Sequence, residues 1–267
     1  MRECQRELRV ADGTVIAYCV IGGDSPTVVI LHGLAGSGRE FLPTAHALAL
    51  AGRRVILIDQ RGHGGSTTIP VDTSRRAFVD DVIQVIDAEA TGPVDLVGQS
   101  MGAHTAMLVA ATRPDLVRRL VLLEGNQGSG DDAEAASLGA FFRSWATPYA
   151  SPDAALTALG DSALTRAWIA DMDVRADGLH PRFDPDVMTA ILETVAVPHW
   201  EEWQRVAAPT LAVYAAHGMF TEAQKQQFVG RGRYATRVDL ASGSHDAHLD
   251  AFDEWIAVLG AFIEEAR

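Results

Sequence analysis

Residues 94–102 read Val94-Asp95-Leu96-Val97-Gly98-Gln99-Ser100-Met101-Gly102. The apolar run at 94–97 predicts a strand covered on both faces. Met101 opens a stretch to Thr112 that predicts a helix. Between the two, glycines 98 and 102 bracket a serine. A strained strand-to-helix turn with close backbone approach needs residues without a Cβ at those two places. It lifts the Ser100 hydroxyl clear of the sheet. A nucleophile with room to react is the functional reading; a bland turn serine is the alternative.

The rest of the chain supplies the sheet that such a turn needs. Residues 27–31 (TVVIL), 54–58 (RVILI), 120–123, 210–214 and 237–240 predict further short buried strands. Helical stretches lie between them at 41–51, 75–89, 222–229 and 252–265. Alternation of this kind predicts an α/β fold, with a mostly parallel, doubly wound sheet. At the start, 6–10 and 14–20 predict an antiparallel hairpin about the turn Asp12-Gly13. One interval breaks the rhythm. Residues 124–209 are too many for a crossover and too many for a structureless loop. They hold helical patches at 133–145, 154–168, 185–195 and 200–206, and four of the five tryptophans. The expectation is a helical cap at 127–206, entered through the glycine-rich 125–130, on a core of 1–126 and 207–267. The acidic run Asp131, Asp132 and Glu134 reads as a solvated helix start.

At Gly98-Gln99-Ser100-Met101-Gly102 the chain resembles the α/β-hydrolase family, whose nucleophile elbow has this pattern. Three more segments are similar in order. His32-Gly33-Leu34-Ala35-Gly36-Ser37 follows the first parallel strand, as the family's oxyanion loop does. Asp59-Gln60-Arg61-Gly62-His63-Gly64-Gly65-Ser66 resembles the family's D-x-R-G-x-G-x-S turn. Gly243-Ser244-His245 follows the last strand, where the family places its histidine. The resemblance implies that Ser100 attacks, that His245 takes its proton, and that the backbone N–H groups of Leu34 and Met101 hold the developing oxyanion. His248 is a rival base, three residues off the family position. His32 reads as a brace of the oxyanion loop or a pocket residue, and His63 as a loop brace.

The acid departs from the usual family pattern. Members commonly carry an Asp after the penultimate strand, in the setting G-x-x-D. Here Gly218 stands in that slot. Glu124 ends the strand next to the serine's own, and right-handed crossover brings both strand ends to one crevice. Some haloalkane dehalogenases and zearalenone-type lactonases are similar in placing the acid there. Glu124 is favoured; Glu222 and Asp246 remain alternatives.

Charge and composition exclude other classes. Lys plus Arg number 22 and Asp plus Glu 35, a net charge of −13, and no basic stripe interrupts it, so nucleic acid is not an expected partner. No apolar run has membrane-spanning length, and the opening residues hold no signal-peptide core, so a cytoplasmic protein is expected. Cys4 and Cys19 both fall in the expected hairpin, where a cross-strand disulfide is the alternative, and free thiols are the favoured expectation. No H-E-x-x-H and no phosphate or dinucleotide glycine loop is present, so neither metal nor cofactor is expected. The expected activity is hydrolysis of a carboxylic ester or lactone by a serine enzyme. Its substrate would be small to medium and partly apolar, under an aromatic cap. Trp200 and Trp203, spaced i, i+3, share one helix face, which either lines the pocket or fills the core between cap and body. A cofactor-free C–C hydrolase, perhydrolase, lyase or cyclase, or a small-molecule receptor, stays open. So does the oligomeric state, a homodimer included.

Overall fold

A computed structural model describes residues 5–23, 26–129 and 132–264, without the side chains of Asp132 and Glu134. In chain order the strands are β1 (Gln5–Arg9), β2 (Val15–Gly22), β3 (Thr27–Leu31), β4 (Arg54–Ile58), β5 (Val94–Gln99) and β6 (Val117–Leu123), then β7 (Asp173–Arg175), β8 (Gly178–His180), β9 (Thr210–Tyr214) and β10 (Ala235–Asp239). Eight of them form one sheet in the order β1-β2-β4-β3-β5-β6-β9-β10. β1, β2 and β4 pair antiparallel, and every pair from β4 to β10 is parallel. β3, β5 and β9 are buried at every residue, as their largely apolar sequences require; Asp95, the charged residue within β5, pairs with Arg118.

Helices cover both faces. α1 (Leu42–Leu50) lies on one face, and α2 (Arg75–Glu89) and α3 (Met101–Thr112) on the other. Between β6 and β9 come α4 (Asp132–Arg143), α5 (Pro152–Leu159), α6 (Ala163–Asp171), the β7–β8 hairpin, α7 (Pro185–Val195) and α8 (Trp200–Arg205). α9 (Glu222–Arg231) precedes β10; α10 (Ala247–Asp250) and α11 (Phe252–Glu264) end the described chain. α11 packs beside α1 through Trp255, Leu259 and Ile263.

The inserted segment differs from expectation in three ways. The helix expected over 154–168 is two, because Gly160 turns to φ 85° and Ser162 caps α6 by accepting from the Thr165 N–H at 3.0 Å. The hairpin β7–β8 was not foreseen; three-residue strands are too short to show alternation. α8 belongs with the body. Its Trp203 is 1% exposed, stacks on Phe228 at 4.2 Å and donates its indole N–H to the Phe228 carbonyl. A separate apolar cluster joins Phe142, Trp145, Met188 and Ile191 of the insert to Ala35, Phe78 and Met101 of the body.

Cys19 is buried and disulfide-bonded, so the expectation of a free thiol there does not hold. Cys4 lies outside the described residues, as do Gly130, Asp131 and the side chains of Asp132 and Glu134.

Candidate active site

Ser100 sits between β5 and α3 with φ 52° and ψ −117°. A non-glycine residue with positive φ is strained by about 1–3 kcal/mol and persists only where its surroundings over-determine it. Those surroundings are visible. The Ser100 N–H donates to the Leu123 carbonyl at 3.0 Å. A Cβ on Gly98 would overlap the backbone of Gly102, and one on Gly102 would overlap the Leu31 carbonyl. The two glycines therefore allow α3 to start directly above the sheet.

Glu124 is the first residue past β6, and it too has positive φ, 48°. Its N–H donates to the Val213 carbonyl, which ties it to β9. Its carboxylate is buried. Oε1 accepts from the Ala215 N–H at 2.8 Å and Oε2 from the Met219 N–H at 2.9 Å. Nδ1 of His245 faces Oε2 at 3.4 Å. A Cβ on Gly218 would overlap the same carboxylate. The slot after β9 where the sequence lacks an acid is thus filled by an acid from β6.

His245 lies on the loop after β10. Gln99, one residue before the serine, donates from Nε2 to the His245 carbonyl at 3.1 Å and to Asp246 Oδ1 at 3.4 Å. Gln99 was not singled out from sequence, though it lies within the five-residue motif itself. The loop after β3 carries Leu34. Its N–H and that of Met101 have no acceptor among the described residues, which leaves both available to a ligand oxygen. His32 braces this loop. Its Nδ1 donates to the Gly33 carbonyl at 2.7 Å and its Nε2 accepts from the Gln60 N–H at 2.9 Å. Burial holds it down to about 4, so the ring stays neutral. Asp59 stitches the loop to the next one by accepting from the N–H groups of Gly38 and Gly65.

A cavity of about 430 Å³ opens above Ser100, Met101, Glu124 and His245. α4 contributes Leu138 and Phe141, and α7 contributes Leu192 and Val195. The other expected residues lie elsewhere. Trp203 is core, and Trp200 packs under the Arg231 guanidinium at 4.2 Å, so neither lines the cavity. His32 is fully buried behind the loop after β3 and does not line the cavity either. His248 is 1% exposed and stacked on Phe41. His63 is buried, its Nδ1 against the Arg61 carbonyl. Glu222 lies on the surface, paired with Arg237. His104, one helical turn past Ser100, does line the cavity, and sequence reasoning passed it over. Among the described residues no cluster of three or more His, Cys, Asp or Glu is placed to hold a metal ion. No described helix is long and apolar enough to cross a membrane.

A family model for the alpha/beta hydrolase fold matches residues 26–172, more than half of the chain. The chain is 42% identical over 112 residues to sn-1-specific diacylglycerol lipase ABHD11 of Mus musculus, covering 41% of this chain and 36% of that protein. It is 36% identical over 103 residues to (E)-2-((N-methylformamido)methylene)succinate hydrolase of Acinetobacter baylyi, covering 39% of each. The chain thus spans well under half the length of the curated relatives it matches. Over nearly the whole chain the structure is similar to two solved ones. E-2-(acetamidomethylene)succinate hydrolase superposes with a TM-score of 0.88 at 20% identity, covering 98% of this chain and 99% of that one. The enol-lactonase from Burkholderia xenovorans LB400 gives 0.79 at 21% identity, covering 97% and 100%. At that identity the likeness is one of fold. Together with the matched family model, the strained serine turn and the parallel sheet beneath it place this chain in the alpha/beta hydrolase fold family.

Proposed function

We propose that the protein is a serine hydrolase that cleaves a carboxylic ester or lactone of a small to medium, partly apolar molecule through an acyl-enzyme. The observation that carries this reading is the meeting of Ser100, His245 and Glu124 at one cavity, with His245 Nδ1 turned to Glu124 Oε2. A ring that donates from Nδ1 has a free lone pair on Nε2, the form that can take a proton from serine. The two backbone N–H groups on Glu124 fix the carboxylate, and the carboxylate fixes the ring.

The steps follow from these positions. Ser100 Oγ attacks the substrate carbonyl carbon as His245 Nε2 accepts its proton. The carbonyl π electrons move to the oxygen, and the N–H groups of Leu34 and Met101 receive that charge; one such donor is worth about 3 kcal/mol. Collapse of the tetrahedral adduct breaks the bond to the leaving oxygen, which takes the proton from His245. Water, deprotonated by the same ring, then releases the acid and restores Ser100. The α4–α7 pair supplies an apolar roof, and we assign residues 127–206, apart from α8, the role of cap. The names of the lipase and lactonase relatives agree with carbonyl–oxygen cleavage.

A fluorophosphonate probe and p-nitrophenyl esters of graded chain length test this. Labelling at Ser100 with ester turnover is expected, and Ser100→Ala should remove the label and lower kcat by roughly 10⁴-fold or more. Labelling without turnover of any ester or lactone would point to carbon–carbon cleavage or ligand sensing instead.

A further inference from the structure

The walls of the cavity say which acyl groups it can hold. Away from the reacting end they carry no charge: Leu138 and Phe141 from α4, Leu192 and Val195 from α7, and Met219 and Phe220 after β9 are apolar, and Asn126, Ser129, Ser137 and Gln224 are neutral polar groups among them. Leu138 and Phe141 are also among the exposed large apolar side chains, at 37% and 43%, so the apolar surface continues to the mouth. Three ionisable residues line the cavity: Glu124, His104 and His245. No lysine or arginine lines it among the described residues. None can come from residues 124–142 either, because that stretch contains neither.

The nearby cations are occupied or sealed. Arg143 pairs with Asp186. Arg75 is buried behind α3, bonded to the Thr105 hydroxyl and stacked over Phe78, and does not line the cavity. His104 cannot replace them. Burial, then the charge of Arg75 and the ring of His199, hold its imidazole neutral. His245 is engaged with Glu124 at the reacting end.

A carboxylate placed against these walls would lose water and meet only neutral donors, with no counter-charge to offset its desolvation. We infer that the cavity selects uncharged, apolar acyl groups and rejects acyl groups of the same length that end in carboxylate. This rests on the ester- or lactone-cleaving reading above. It separates the chain from the relatives named as succinate hydrolases.

The test compares two six-carbon acyl groups, hexanoyl and adipoyl, which differ in ending as methyl or carboxylate. Binding of their p-nitroanilides to the Ser100→Ala protein is measured by calorimetry, so the result does not depend on turnover. The hexanoyl compound should bind roughly 100-fold tighter. In the active protein, kcat/KM on the corresponding p-nitrophenyl esters should show a similar ratio. The ratio should persist in 0.5 M NaCl, where long-range repulsion from the net charge is screened. Leu138→Arg, at a site exposed enough to hold a charged head, should narrow it at least tenfold. Affinities within threefold of each other, tighter binding of adipoyl, or a preference that vanishes in salt would overturn the inference. Failure of turnover with the binding preference intact would instead count against the hydrolase reading alone.

Discussion

Gly218 has no side chain, and the Glu124 carboxylate occupies the space that a Cβ there would need. The carboxylate reaches it because β6 and β9 are parallel neighbours, and because Glu124 bends off β6 in a left-handed conformation. A longer Glu, rather than Asp, suits the reach from one strand end to the next. In the proposed mechanism Glu124→Gln loses the charge that supports the imidazolium and should lower kcat by roughly 10⁴-fold. Its amide NH2 would face one of the two backbone N–H donors, so the variant should also lose about 1–3 kcal/mol of stability and stay folded. Glu222→Gln, which breaks a surface pair with Arg237, should stay within about twofold on both measures. The reverse outcome in steady-state kinetics would move the acid to Glu222.

At the scale of elements, the turn from β5 into α3 decides where Ser100 stands. The backbones of β3, β5 and α3 meet there with no room for a methyl group at Gly102. Gly102→Ala should cost about 3 kcal/mol, since the atoms in the way are backbone and cannot turn aside. Gly260, in the interior of α11, has nothing within 4 Å of the place its Cβ would occupy. There Ala should add about 0.5–1 kcal/mol through helix propensity alone. Urea denaturation of the two variants distinguishes a packing glycine from an idle one. The roof is built on a similar contact: a Cβ on Gly139 of α4 would overlap Thr189 of α7.

The whole molecule buries an unusual set of titratable groups, and its stability should follow their protonation. His32, His63 and His248 are held down by burial to about 4, 3 and 4, and His104 lies well below its ordinary 6.5. Between about 4 and 6.5 these rings bind protons only in the unfolded chain, so stability rises with pH through that window. Glu40 and Asp171 act the other way. Burial pushes Glu40 up to about 8, helped by the charges of Asp246 and Asp59. It pushes Asp171 up to about 7 against the pull of Arg182. From their unfolded values of 4.5 and 3.8 up to 8 and 7, the folded chain keeps protons that the unfolded chain has lost, so stability falls as pH rises. Burial raises Asp59, Asp81, Asp95 and Asp246 as well, so they act with the two acids. Above 6.5 the rings no longer contribute and only raised acids remain, so urea midpoints taken from pH 6.5 to 8.5 should fall. Glu40→Gln should flatten the decline on the alkaline side, and an unchanged decline would remove Glu40 as its source.

Sequence alone determined the sheet and the serine turn. The central parallel strands are written as short, largely apolar runs, and glycines 98 and 102 mark a close approach that no other residue permits. Both are local signals. Tertiary structure alone decided how the insert divides and what surrounds the serine. Trp200 and Trp203 share one helix face, as their spacing says, but periodicity gives a face and not its partner; α9 and α3 claimed it. Cys19 formed a disulfide because chain pairing set its neighbours, which composition cannot do. The fit of Glu124 into the space at Gly218 joins residues 94 positions apart, and only the packing of β6 against β9 brings them together.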